Sequence, residues 1–293
     1  MIKIYDRKLG RHVEEKVVGE NLLHLIYDYA LGRSLLFFIK RKFISSLYGK
    51  AMDSRRSKRM IEGFIRDNGL NMDESLKSKE EFETFNDFFT RKLKVSARPF
   101  NPDEKALISP CDSRLLAFED IDPEKIIQVK GLTYSLDDLL GSREWQPSYD
   151  GGTVLVFRLS PLDYHRFHFV DAGIADVART IRGYYQSVNP IALSKIPRLY
   201  VENKRTITSF HSDHFGEILY VEVGATNVGS MIQTFQPGHR IQKGDEKGYF
   251  KFGGSTVILF IEKGKVKVDS DILSQSSQGI ESRVLFGETI GLQ

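Results

Sequence analysis

The sequence predicts an α+β protein, with a mainly helical region over residues 1–100 packed on a compact β-rich part over residues 101–293. Three observations carry that expectation. Apolar residues recur at helical spacing through the first hundred positions. Beyond residue 100 the apolar runs are short, β-type and divided by Gly, Pro, Asn and Asp. The 293 residues suffice for one large domain or two modest ones, and 41% apolar with 28% charged residues is ordinary for a folded soluble chain. Disordered and collagen-like classes drop out.

In chain order, Leu22-Leu23, Leu25-Ile26, Tyr29-Ala30, the run Leu35 to Ile39, and Phe43-Ile44 make broad apolar helical faces. Lys40-Arg41-Lys42, Arg55-Arg56 and Lys58-Arg59 border them. Residues 1–60 carry 14 Lys and Arg against 6 Asp and Glu on a chain of net charge +3, so the remainder is acidic. An apolar face with a cationic border suits a helix lying in a lipid interface. It equally suits a helix packed on its own domain with a solvated basic edge. Nucleic acid fits less well, because the aromatic residues do not interleave with the basic ones. No run reaches the roughly 18 apolar residues of a spanning helix, and the charged start Met1-Ile-Lys-Ile-Tyr-Asp-Arg-Lys lacks a signal-peptide core. The single cysteine, Cys111, excludes a disulfide framework and fits a reducing compartment.

Asn68-Gly69 is a helix stop. Ser78 with Glu81 forms a capping-box signature ahead of a helix carrying Phe82, Phe85, Phe88-Phe89 and Leu93 and ending near Arg98-Pro99. Strand patterns follow at 115–118, 153–159, 174–184, 217–223, 256–261 and 266–268.

Three stretches of the second part can carry chemistry. Ser109-Pro110-Cys111-Asp112-Ser113 places a carboxylate in a turn among apolar residues, where an Asx-turn is its ordinary use. In Ser160-Pro161-Leu162-Asp163-Tyr164-His165-Arg166-Phe167-His168, Ser160 and Pro161 suit Ncap and N1 of a short helical turn. That turn would set His165 and His168 on one side, as a metal pair, as proton-transfer groups, or as satisfied buried rings. Gly253-Gly254-Ser255-Thr256 puts a hydroxyl at a bend between two strand patterns, which by itself is most simply a glycine-rich turn. His211 and His214 repeat the His-x-x-His spacing, but without a sulfur ligand zinc is not expected, and no metal is assigned. A carboxylate, an imidazole and a hydroxyl can together make a nucleophile. Ser255 lacks the Gly-x-Ser-x-Gly elbow of many hydrolases. Its nearest electrophile is the Gly254 carbonyl of its own chain, which points to self-cleavage.

Six blocks in order resemble the phosphatidylserine decarboxylase family of pyruvoyl enzymes. They are Phe88-Phe89-Thr90-Arg91-Lys92-Leu93-Lys94 with Ala97-Arg98-Pro99, Ser109-Pro110-Cys111-Asp112-Ser113, Tyr164-His165-Arg166-Phe167-His168, Ser187-Val188-Asn189-Pro190, Val223-Gly224-Ala225 with Val228-Gly229-Ser230, and Gly254-Ser255-Thr256. Cys111 and Ser113 replace the family's Ala and Gly, and Gly253 stands where some members have Leu. The resemblance spans about residues 85–265 and leaves 1–60 without a signature.

The resemblance implies that Asp112, His168 and Ser255 act in self-cleavage, with Asp112 orienting His168 and His168 deprotonating Ser255. Cleavage between Gly254 and Ser255 would give a large chain, 1–254, and a small chain, 255–293. The only cofactor implied is a pyruvoyl group derived from Ser255, which would condense with the substrate amine to a Schiff base and draw electrons away from the decarboxylating carbon. His165 is the candidate for returning a proton to that carbon, giving phosphatidylethanolamine and carbon dioxide. The implied partners are an anionic phospholipid, a membrane surface and the two chains of one precursor, with a homodimer left open and no nucleic acid. The implied place is the cytoplasmic face of the cell membrane, as a peripheral protein. Residues 237–248, Pro-Gly-His-Arg-Ile-Gln-Lys-Gly-Asp-Glu-Lys-Gly, resemble a turn-rich segment of barrel-sandwich hybrid folds. Lys243 lacks the Met-Lys pairing of a carrier lysine, so the segment reads as architecture. A membrane-associated binding protein that is never processed, and a serine hydrolase using Asp112, His168 and Ser255, remain the alternatives.

Overall fold

The strand Ser255–Ile261 lies at the middle of the protein, and all seven of its residues are buried. It pairs antiparallel with Gly216–Gly224 on one side and Thr153–Leu159 on the other, and Ser255 stands opposite Gly224 and Leu159. Side chains alternate across a strand, so Val257, Leu259 and Ile261 enter one apolar core while Ile258 and Phe260 enter a second on the other face. A strand covered on both faces reads as a continuous apolar run, which is why 256–261 has no polar alternation.

A computed structural model of the chain describes residues 2–15, 20–29, 42–129, 132–142, 146–225, 231–253 and 255–293. The main sheet runs Arg240–Ile241, Gly173–Ala175, Arg205–Ser212, Gly216–Gly224, Ser255–Ile261, Thr153–Leu159, Ser113–Phe118, Glu281–Val284, Ile2–Asp6, Arg11–Glu15. It is mixed, since Ile2–Asp6 lies parallel to Glu281–Val284. The fold is α+β. Among the described strands the path stays open, so the barrel-sandwich likeness does not extend to a closed barrel. The expected strand over 174–184 is two short ones, Gly173–Ala175 and Arg179–Ile181, both against Arg205–Ser212.

The first fifteen residues depart from the helical expectation. Ile2–Asp6 and Arg11–Glu15 form a hairpin whose turn includes Gly10 at φ +62°, and Glu15 reaches two buried arginines, Arg114 and Arg158. Helices Glu20–Asp28, Lys42–Met52 and Arg59–Asn68 follow, the last ending on Gly69 at φ +62°. The capping box at Ser78 and Glu81 forms, but the single long helix behind it does not. A 3₁₀ turn, Lys79–Glu81, is followed by a separate five-residue helix, Phe85–Phe89, because the Thr84 side chain accepts from Asp87 N and starts a new cap. Met52, Ile61, Phe82, Phe85, Phe88 and Phe89 bury one another as a third core. Phe252 packs edge-on against Phe85 and Phe89, at 4.9 Å from each, and Phe252 N donates to Asn86 Oδ1. The helical region thus grips the chain three residues before Ser255.

No helix among the described residues is long and apolar enough to cross a membrane. Leu35 to Ile39, Lys40-Arg41, Val228-Gly229-Ser230 and Gly254 lie outside the described residues.

Candidate active site

The end of the Thr153–Leu159 strand sets the first half of the site. Leu159 is the register partner of Ser255, so the turn that follows must pass beside the Ser255 hydroxyl. Asp163 closes that turn: its carboxylate accepts from Ser160 N at 2.6 Å and is paired with Arg114. The chain then runs as a short strand, Arg166–His168, against Glu246–Phe250. The expected helical turn is therefore replaced by a tight turn and a strand. His165 and His168 have different surroundings rather than one shared face.

His165 is fully buried. Its Nε2 donates to the Ser160 carbonyl at 3.0 Å, because a carbonyl can only accept. In the neutral ring that leaves Nδ1 as an acceptor, 3.5 Å from Ser255 Oγ. The Phe89 ring stacks on the imidazole at 4.0 Å. Burial, and then the nearby Arg91 charge, push the His165 pKa down to about 3. The ring is neutral at pH 7 and its free lone pair faces a hydroxyl that is itself 0% exposed.

His168 is held differently. Its Nδ1 donates to the Gly244 carbonyl at 3.0 Å, Nε2 lies 3.3 Å from the Tyr164 hydroxyl, and the ring stacks on Phe286 at 3.8 Å. Burial lowers its pKa to about 4, opposed by the Gly244 bond and by the Glu246 and Asp112 charges. Asp112 accepts from Arg98 Nε at 3.0 and 3.2 Å and from Arg98 Nη2 at 2.7 Å, and from Phe286 N at 2.9 Å. Phe286 thus joins Asp112, through its backbone, to His168, through its ring. Among the described residues no hydrogen bond runs from Asp112 to either histidine, and none from His168 to Ser255. The imidazole in contact with Ser255 is His165, which differs from the pairing implied by the resemblance.

The Asp112 turn is braced by residues from the end of the chain. Ser109 N donates to Glu288 O and Gly287 N to Ser109 O, while His168 N donates to Pro110 O. Ser113 does not take the left-handed backbone that would favour glycine; it opens the Ser113–Phe118 strand without strain. Gly253 does take positive φ, +142°, a region favouring glycine. His211 and His214 face Asp176 and Asp171, apart from the site. Lys243 Nζ donates to the Asp103 and Ala106 carbonyls, a structural use.

Arg98, Phe89 and Tyr164 carry the site, yet in the sequence they stand only as members of quoted blocks or of an expected helix, with no site role of their own. Phe286 has no sequence signal as a site residue, because it ends the short apolar run Val284-Leu285-Phe286 and resembles any core residue. The arrangement can take a proton from a buried hydroxyl at position 255.

A family model described as phosphatidylserine decarboxylase matches residues 85–292. The chain is 56% identical over 292 residues to the phosphatidylserine decarboxylase proenzyme of Clostridium novyi (strain NT), covering 99% of each. It is 51% identical over 292 residues to that of Ruminiclostridium cellulolyticum, covering 99% of this chain and 97% of the relative. The same identity holds over 294 residues with that of Clostridium botulinum (strain Hall), covering 100% of each. By these matches the chain belongs to the phosphatidylserine decarboxylase family.

Proposed function

We propose that this protein is a self-processing phosphatidylserine decarboxylase, forming phosphatidylethanolamine and carbon dioxide with a pyruvoyl group made from Ser255. The observation that carries the reading is the buried Ser255 hydroxyl facing the unprotonated nitrogen of His165 at 3.5 Å.

In processing, the Ser255 hydroxyl loses its proton to an imidazole and attacks the Gly254 carbonyl, turning the peptide bond into an ester. Elimination at residue 255 releases the Gly254 carboxylate, and hydrolysis leaves the pyruvoyl group with loss of ammonia. Asp112, His168 and Ser255 carry these steps as the resemblance implies. The 3.5 Å contact favours a second reading of the roles, in which His165 takes the hydroxyl proton.

The residues present fit the group, since position 255 is buried, and neutral His165 stands beside it. A pyruvoyl carbonyl supplies an electron sink for the carbanion left when carbon dioxide departs. His165 is the candidate for returning a proton to the carbon that lost the carboxylate, once its Nδ1 has taken that proton up in an earlier step, and the rings of Phe89 and Phe252 help keep water from the position. Residues 1–100 act as the membrane-facing part, residues 101–293 as the catalytic part. Exposed Leu25, Tyr29, Leu47 and Met60, with Arg55, Arg56 and Arg59 nearby in the chain, support peripheral contact with an anionic bilayer at the cytoplasmic face.

Intact mass on a denaturing separation tests the proposal. The expected result is a 1–254 fragment and a 255–293 fragment bearing a pyruvoyl mass in active protein. An active wild-type chain of full length, with a free Ser255, would sink it.

A further inference from the structure

A cavity of about 500 Å³ opens between the N-terminal hairpin, the loop after Gly69 and the Asp112 turn. Its arginines are mostly satisfied. Arg98 pairs with Asp112 and Glu74, Arg114 with Glu15 and Asp163, and Arg283 with Asp6. Arg91 is the exception. It is only 8% exposed, its guanidinium lies over the Phe88 ring at 5.3 Å, and among the described residues its side chain makes no hydrogen bond or ion pair. Its nitrogens are not sealed in the core; they open on the cavity it lines.

We propose that Arg91 receives the phosphodiester of the lipid headgroup, so that this cavity is the headgroup subsite. The inference rests on the reading of the protein as a phosphatidylserine decarboxylase. A buried guanidinium with no partner is costly to keep, and its forked donors match two oxygens of one phosphate. The headgroup offers two anions, and chemistry separates them. A fork on the serine carboxylate would stabilise the charge that decarboxylation must disperse, opposing the reaction. A fork on the phosphodiester holds the headgroup without that penalty. The position agrees: Arg91 follows Phe89, whose ring covers His165, and the Arg91 charge is felt at that imidazole. The cavity that Arg91 lines is also lined by Asp112 and Tyr164 of the site.

Glycerophosphoserine binding to the Ser255→Ala precursor tests this without processing or turnover, and so independently of the decarboxylase assignment. Arg91→Gln in that precursor should weaken its Kd by about 10- to 100-fold, the range for a charged hydrogen-bonding partner. A serine ester lacking phosphate should bind both chains alike. If the glutamine chain fails to fold, Arg91→Lys, which keeps the charge and loses the fork, should weaken binding about tenfold. No glycerophosphoserine binding to the Ser255→Ala chain, binding unchanged by the Arg91 substitutions, or an equal loss for the phosphate-free ester would each overturn the proposal. In processed wild-type background, the same substitution should raise KM for phosphatidylserine while the 255–293 fragment still forms.

Discussion

His165 Nδ1 faces the Ser255 hydroxyl at 3.5 Å while Nε2 of the same ring donates to the Ser160 carbonyl at 3.0 Å. The carbonyl fixes the tautomer, and the turn closed by Asp163 fixes the ring beside the hydroxyl. One local motif thereby supplies both the orientation and the lone pair that proton transfer needs. His168, three residues on, is committed to Gly244, Tyr164 and Phe286.

This difference makes the two histidines separable. His165→Ala should cut decarboxylation by about 10²- to 10⁴-fold, the usual worth of a positioned acid or base. If it still yields the 255–293 fragment while His168→Ala does not, the roles follow the family pattern. Intact His168→Ala processing with none in His165→Ala would assign both steps to His165. Fragment mass and carbon dioxide release read the two arms.

Acid should destabilise the folded chain earlier than its carboxylates alone would. Both imidazoles have folded pKa values below the ordinary 6.5, at about 3 and about 4, because burial disfavours the charged ring. Between those values and 6.5 the unfolded chain binds protons that the folded chain refuses, so stability falls as pH drops below 6.5. At pH 5 the loss is about 2 kcal/mol per histidine. The urea midpoint from pH 7 to 5 should drop less in His168→Gln than in the parent chain, and equal slopes would count against the assignment.

Arg98 neutralises Asp112, which is 3% exposed. Arg98→Gln leaves that carboxylate buried with Phe286 N as its remaining donor among the described residues. The expected cost is about 3–5 kcal/mol, with slower processing because Phe286 also covers His168. Replacing both, as Arg98→Leu with Asp112→Leu, should recover part of the stability and none of the processing. Chemical denaturation and fragment yield separate these effects.

Cleavage at Gly254 should not separate the products. The segment 255–293 contributes Ser255–Ile261 to the centre of the main sheet, Glu281–Val284 between Ser113–Phe118 and Ile2–Asp6, and Thr289–Leu292 against Ala106–Ile108. Both chains should co-elute on gel filtration and part only in denaturant. Dissociation under native conditions would contradict this pairing.

Gly253 sits at φ +142°, one residue before Gly254 at the cleavage position. Gly253→Ala should slow fragment formation, since a Cβ disfavours that backbone, with little change in the urea midpoint of the mature protein.

The sequence alone determined the α+β class, the ends of Thr153–Leu159 and most of Ser255–Ile261, the Gly69 stop and the residue types of the site. Those follow from local rules: strand and helix periodicity, glycine at a left-handed cap, and an ordered run of motifs. It did not determine the N-terminal hairpin, whose partner strand begins at Glu281 and is thus distant in the chain. Nor did it determine which histidine meets Ser255. That choice depends on Asp163 closing a turn through Arg114, and on the register that sets Leu159 opposite Ser255. Phe286 became part of the site only by folding, since its bond to Asp112 joins residues 174 positions apart. Contacts of that range depend on strand pairing across the whole domain, which no local pattern encodes.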